Sequence, residues 1–121
     1  MYGIYIHIPF CVRKCPYCDF YSVALKDDIR TRFLKSLKNE IRSFESVEAD
    51  TVYFGGGTPS LLKPSEMSDI LDLLHQHDRI SGDAEISMEC NPASVTKEDL
   101  KEFRKAGINR LSLGCQSFEQ E

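Results

Sequence analysis

The sequence predicts an α/β fold of parallel βα repeats, and two observations carry that expectation. Short β-branched and aromatic runs alternate with segments of helical periodicity, and every stretch of unusual chemistry falls just after one of the predicted strands. Ligand sites in parallel α/β sheets gather at the carboxyl ends of strands. The placement of these motifs therefore matches a sheet built to bind something.

Each element has its own signal. Gly3-Ile4-Tyr5-Ile6-His7-Ile8 reads as a strand stopped by Pro9. From about Asp28 to Ser46, the residues Ile29, Phe33, Leu37, Ile41 and Phe44 recur at steps of four, four, four and three, one apolar stripe on a helix. Thr51-Val52-Tyr53-Phe54 is the second strand, cut short by Gly55-Gly56-Gly57. Pro64 sits where a first helical residue belongs, and Met67, Ile70, Leu71 and Leu74 form the next stripe. Ala84 to Met88 reads as the third strand, ended by Asn91-Pro92. Thr96-Lys97-Glu98-Asp99 resembles a capping box and opens a short helix through Leu100 and Phe103, with Gly107 at its C′ position. Arg110 to Leu113 begins the fourth strand. The order β-α-β-α-β-α-β implies parallel strands with right-handed crossovers.

Composition narrows the function classes. With 41% hydrophobic and 28% charged residues, the 121-residue chain is globular and has material for one core. Its 15 basic and 19 acidic residues leave a net charge of −4, no footprint for nucleic acid or an anionic membrane. No apolar run reaches the roughly 18 residues of a membrane span. The first residues lack the basic head and cleavage site of a signal peptide, so the expected compartment is the cytoplasm. Residues 1–121 read as one domain, and the absence of a helix after the fourth strand marks it as the N-terminal part of a longer protein.

Three of the five cysteines, Cys11, Cys15 and Cys18, crowd into one loop after the first strand. Without a secretory signal, that crowding favours metal or redox chemistry over a disulfide framework. Thiolates hold iron–sulfur clusters, and a four-iron cube normally takes four of them. Three from one loop leave one iron open to a substrate or cofactor, as open catalytic metal sites do. Zinc held by the same cysteines with His7 is the competing assignment. It requires a ligand from inside a strand and a spacing unlike the usual zinc pairings.

The stretch Tyr5-Ile6-His7-Ile8-Pro9-Phe10-Cys11-Val12-Arg13-Lys14-Cys15-Pro16-Tyr17-Cys18 resembles the cluster loop of radical S-adenosylmethionine (SAM) proteins. More specifically it resembles the oxygen-independent coproporphyrinogen oxidase branch. The likeness continues in order through Tyr53–Ser60, Glu85–Pro92 and Gly107–Phe118. It implies the first part of an incomplete (β/α)6 barrel, with a [4Fe-4S] cluster on Cys11, Cys15 and Cys18. SAM would chelate the unique iron and yield a 5′-deoxyadenosyl radical on reduction. By the same resemblance Gly56 approaches the methionyl part of SAM, and Tyr5 and Glu89 contact the molecule. Some members hold a second SAM, to which Tyr17, Gly57, Thr58 and Gln116 correspond.

One departure separates members of the branch. The decarboxylating enzymes carry a further cysteine two residues after the third cluster cysteine, where this chain has Phe20. The chain therefore resembles the heme chaperone subgroup, which binds heme and delivers it to hemoproteins. The alternative is a coproporphyrinogen III dehydrogenase that converts propionates to vinyl groups. Implied partners are a heme or porphyrin ligand, a hemoprotein client and an electron donor of the flavodoxin or ferredoxin type. His75 and His77 are expected on a solvated helix face, and Cys90 and Cys115 as small buried thiols.

Overall fold

The computed structural model describes residues 2–11, 23–24, 27–92 and 95–113. Strand β1 (Tyr2–Ile8) is followed by the two-residue strands β2 (Phe10–Cys11) and β3 (Val23–Ala24), then helix α1 (Asp27–Ser43). Strand β4 (Glu48–Gly56), a 3-10 turn (Pro59–Leu61), helix α2 (Pro64–His77), strand β5 (Arg79–Cys90), helix α3 (Lys97–Ala106) and strand β6 (Arg110–Leu113) complete the order. The main sheet runs β1-β4-β5-β6 with every neighbouring pair parallel. This is the parallel βα architecture expected from the alternating pattern. The short parallel pair β2–β3, which flanks the cysteine loop in sequence, had no signal of its own.

Period-2 alternation sorts the strands into two faces. Ile6 and Ile8 of β1, Val52 and Phe54 of β4, and Ile86, Met88 and Cys90 of β5 are buried on one face. They form a single core with Met67, Ile70, Leu71 and Leu74 of α2, Phe103 of α3, and Leu34 and Ile41 of α1. The opposite face carries Tyr5, His7, Tyr53, Glu85, Glu89 and Ser112, polar or aromatic residues paired by the strand register. A sheet with helices on one face leaves the other for chemistry.

The helix ends follow their local signals. Thr96 Oγ1 accepts the Asp99 amide and Asp99 Oδ2 accepts the Thr96 amide, both at 3.0 Å, closing the predicted capping box. Gly107 at φ +127° ends α3 and donates to the carbonyls of Phe103 and Arg104. At the start of α2, Glu66 accepts the Lys63 amide at 2.7 Å and pairs with Arg30 Nε of α1 at 3.2 Å.

Three elements differ in extent from the sequence expectation. Strand β4 overruns the expected Thr51–Phe54 at both ends, from Glu48 through Gly56, where pairing with β1 carries it into the glycine run. Helix α1 stops at Ser43, so Phe44 leaves the apolar stripe and is exposed. The next residues are held elsewhere: Ser46 Oγ donates to the His77 carbonyl, and Asp78 Oδ1 accepts the Val47 amide. Strand β5 begins five residues before Ala84, because Arg79 and Ile80 pair with Glu48 and Ala49 before a register shift. Ser81 to Ala84 are passed within that irregularity.

Candidate functional site

The carboxyl ends of β1, β4 and β5 meet at one edge of the open face. His7 lies opposite Gly55 and Ile8 opposite Gly56, while Phe54 of β4 pairs with Met88 of β5. The glycine run is bound to the chain leading into the cysteine loop. The Gly57 amide donates to the Ile8 carbonyl at 2.7 Å and the Thr58 amide to the Phe10 carbonyl at 2.6 Å. The segments that follow the neighbouring strands β1 and β4 are thus stitched together at the backbone.

Glu89 is the charge at the centre of this edge. Its Oε1 accepts the Gly56 amide at 3.1 Å, and its Oε2 accepts the Tyr53 hydroxyl at 2.9 Å. Tyr53 in turn stacks on Tyr5, with ring centroids 5.9 Å apart and planes 16° from parallel. The Tyr5 hydroxyl shares a hydrogen bond with His7 Nδ1 at 3.2 Å. The result is a continuous line of polar tips, His7–Tyr5 beside Tyr53–Glu89–Gly56, across three strands.

The glycines have internal reasons to be glycine. Gly56 sits at φ +109°, and a Cβ there would fall 2.7 Å from the Ile8 carbonyl oxygen and 2.8 Å from the His7 ring. A Cβ on Gly55 would come within 2.9 Å of the rings of both Tyr5 and Tyr53. The open backbone expected for ligand approach is therefore also what lets β1 and the tyrosine pair close against β4.

The electrostatics follow from Glu89. Partial burial and then the Glu89 carboxylate push the Tyr5 phenol above its ordinary range. Tyr53 is raised likewise, first by burial and next by its hydrogen bond to Glu89, with the Ser112 hydroxyl opposing. Both phenols stay neutral and able to donate. Glu89 uses one lone pair on each oxygen for its two protein donors, and a carboxylate has further acceptor capacity. An ammonium or hydroxyl donor at the strand ends would find a positioned acceptor.

Of the residues singled out from sequence, Tyr5, Gly56, Gly57, Thr58 and Glu89 come together here, and the backbone of Cys11 ends β2 nearby. Cys15, Tyr17, Cys18, Cys115 and Gln116 lie outside the described residues. Cys90 is buried on the core face, and burial raises its thiol against a partly opposing hydrogen bond from Ser60. His75 is exposed, whereas His77 Nδ1 lies 3.1 Å from Asp78 Oδ1, so only the first sits on a fully solvated face. Sequence reasoning passed over Tyr53. Its parity was the available signal: two residues before Gly55, it must share the face on which the glycine run meets β1.

This parallel sheet is a radical SAM core: residues 5–121 match the sequence profile of the Radical SAM superfamily, and the chain belongs to that superfamily. Membership implies SAM and a [4Fe-4S] cluster as cofactors. Among individual relatives, the chain is 45% identical over 124 residues to the heme chaperone HemW of Escherichia coli strain K12, covering 98% of this chain and 33% of that protein. It is 35% identical over 126 residues to HemW of Bacillus subtilis strain 168, covering 100% of this chain and 33% of the relative. A solved structure of the radical SAM enzyme coproporphyrinogen III oxidase (HemN) from Escherichia coli superposes with a TM-score of 0.84 at 32% identity. That match covers 96% of this chain and 28% of the enzyme's. The chain thus spans about a third of the length of the relatives it matches. Among the described residues, no helix is long and apolar enough to cross a membrane.

Proposed function

We propose that this chain is the cofactor-holding part of a cytoplasmic heme chaperone, a protein that binds heme and SAM and passes heme to a hemoprotein client. The observation that carries the reading is the similarity to proteins named HemW, at 45% identity over nearly the whole chain. Phe20, where the decarboxylating branch carries a cysteine, favours the same subgroup.

In this reading Cys11, Cys15 and Cys18 hold the cluster, residues 1–121 being the N-terminal portion of the radical SAM core. When bound, the cluster supplies an electron to the SAM sulfonium and leaves one iron for its amino and carboxylate groups. The residues at the strand ends fit such a ligand. Gly56 admits a close approach because it has no Cβ, Glu89 accepts from the ammonium or a ribose hydroxyl, and Tyr5 walls one side of the site. Tyr17, Gly57, Thr58 and Gln116 are the candidates for a second SAM. A flavodoxin or ferredoxin type protein would supply the electron.

The similarity to HemN supports a second reading, oxidative decarboxylation of coproporphyrinogen III. Incubating the whole protein anaerobically with SAM, a reductant and coproporphyrinogen III separates the two. The chaperone reading expects no protoporphyrinogen and a heme absorbance band on titration with heme; protoporphyrinogen product overturns it. Cys15→Ala should abolish the cluster of about four irons expected for this cluster type, and a normal iron content in that variant would refute the ligand assignment.

A further inference from the structure

We infer that Tyr53 is a positioning residue that acts through Glu89, fixing the carboxylate that receives SAM. The inference rests on the proposed role of Glu89 and deepens it. A glutamate at the end of a strand has three rotatable side-chain bonds, and a ligand that needs its carboxylate in one place must otherwise freeze them. Here two protein donors hold that carboxylate. The Gly56 amide takes one oxygen at 3.1 Å and the Tyr53 hydroxyl takes the other at 2.9 Å.

Tyr53 is itself held. Its ring lies flat against Tyr5 at 5.9 Å, and Gly55 leaves the room that this stack occupies, since a Cβ there would meet both rings at 2.9 Å. Strand register supplies the remaining constraint, because Tyr53 pairs with Tyr5 on one side and Ser87 on the other. The phenol is therefore fixed at its base by the sheet, on its face by Tyr5 and at its tip by Glu89. Tyr53 need not touch SAM to matter: it keeps one carboxylate oxygen occupied and turns the free lone pairs outward.

The test is a double-mutant cycle on the whole, cluster-loaded protein, with the SAM dissociation constant as readout. Tyr53→Phe keeps the ring stack and removes only the hydroxyl; it should weaken SAM binding by roughly tenfold, the order of one hydrogen bond to a charged group. Glu89→Gln should weaken it at least as much, and Tyr53→Phe added to Glu89→Gln should cost little more. That non-additivity is what acting through Glu89 means, and a purely structural tyrosine would not produce it. Wild-type affinity in Tyr53→Phe with a loss in Glu89→Gln overturns the inference and leaves the role of Glu89 standing. Fully additive losses overturn it too, giving Tyr53 a separate role. Unchanged affinity in both variants removes the role of Glu89 itself. If Tyr53→Phe does not fold, tyrosine-ring carbon NMR of Glu89→Gln reads the same contact. The Tyr53 phenol should then ionise at lower pH than in the parent, and an unmoved titration overturns the inference.

Discussion

Glu89 and Gly56 are joined across neighbouring strands by a hydrogen bond from the glycine amide to Oε1 at 3.1 Å. The bond ties the ends of β4 and β5 at the level where the glycine run also donates to the Ile8 carbonyl of β1. Three strand ends are thereby held in one geometry by backbone donors and a single carboxylate.

Gly56→Ala tests how tightly that edge is built. The residue has φ +109°, where L side chains are strained, and a Cβ would lie 2.7 Å from the backbone oxygen of Ile8, which cannot swing aside. Strain of this kind costs about 1–3 kcal/mol, and relief requires moving β1 away from β4. The variant should unfold at lower urea concentration and bind SAM more weakly even where folded. An unchanged urea midpoint would show that the strand ends move apart freely.

The alternation of apolar strands and amphipathic stripes was enough to read the parallel βα order, because burial on one face demands it. Positions such as Ile6, Phe54 and Met88 had to be inside, and they are. Boundaries were less legible where tertiary bonds override local pattern. Phe44 continues the α1 stripe on paper, yet Ser46 and Val47 are captured by His77 and Asp78 more than thirty residues away. At the site, Glu89 and Gly56 stood out as strand-end residues in family-like blocks. Tyr53 did not, because a tyrosine inside a strand looks like packing until the register places its hydroxyl beside a carboxylate.

The phenols at the site make stability fall in alkali. Tyr5 and Tyr53 ionise above the ordinary tyrosine value of 10.0 in the folded chain. The native state therefore holds their protons more tightly than the unfolded state does. Their contribution is complete below the unfolded value and is lost as pH rises through the raised folded values. Urea unfolding measured from neutral pH upward should show this decline beginning near pH 10. Glu89→Gln removes a charge that opposes phenol ionisation, so its decline should be shallower. A parallel decline in both proteins would mean that Glu89 does not act on these rings.

Asn109 is a second place where a side chain does the work of backbone. Its Oδ1 accepts the Ile86 amide at 2.8 Å, its Nδ2 donates to the Ala84 carbonyl at 2.9 Å, and its own amide donates to the Ile86 carbonyl at 2.8 Å. The side chain thus extends the β5–β6 ladder by one rung at the point where β6 begins. Asn109→Ala leaves a backbone donor and acceptor of β5 without this partner, at a cost of about 1–3 kcal/mol. Chemical denaturation should register that loss, while the iron content of the folded protein stays unchanged because the rung lies at the far end of β6. Loss of the cluster with normal stability would contradict this assignment.

Cys90 faces the core, and its burial sets its chemistry apart from that of cluster cysteines. Burial raises the thiol above its ordinary range, with the Ser60 hydrogen bond offsetting part of the effect. The native thiol therefore stays protonated at neutral pH, and the thiolate is the form that reacts. Alkylation must also wait for local opening of the sheet, which in a well-packed core slows it by on the order of 100-fold or more. A brief pulse of iodoacetamide at neutral pH, followed by peptide mass spectrometry, should leave Cys90 unmodified in the folded whole protein and label it in urea. Labelling at the same rate in both conditions would place the thiol at the surface. It would also remove Cys90 from the core that Met88 and Ile86 share with α2.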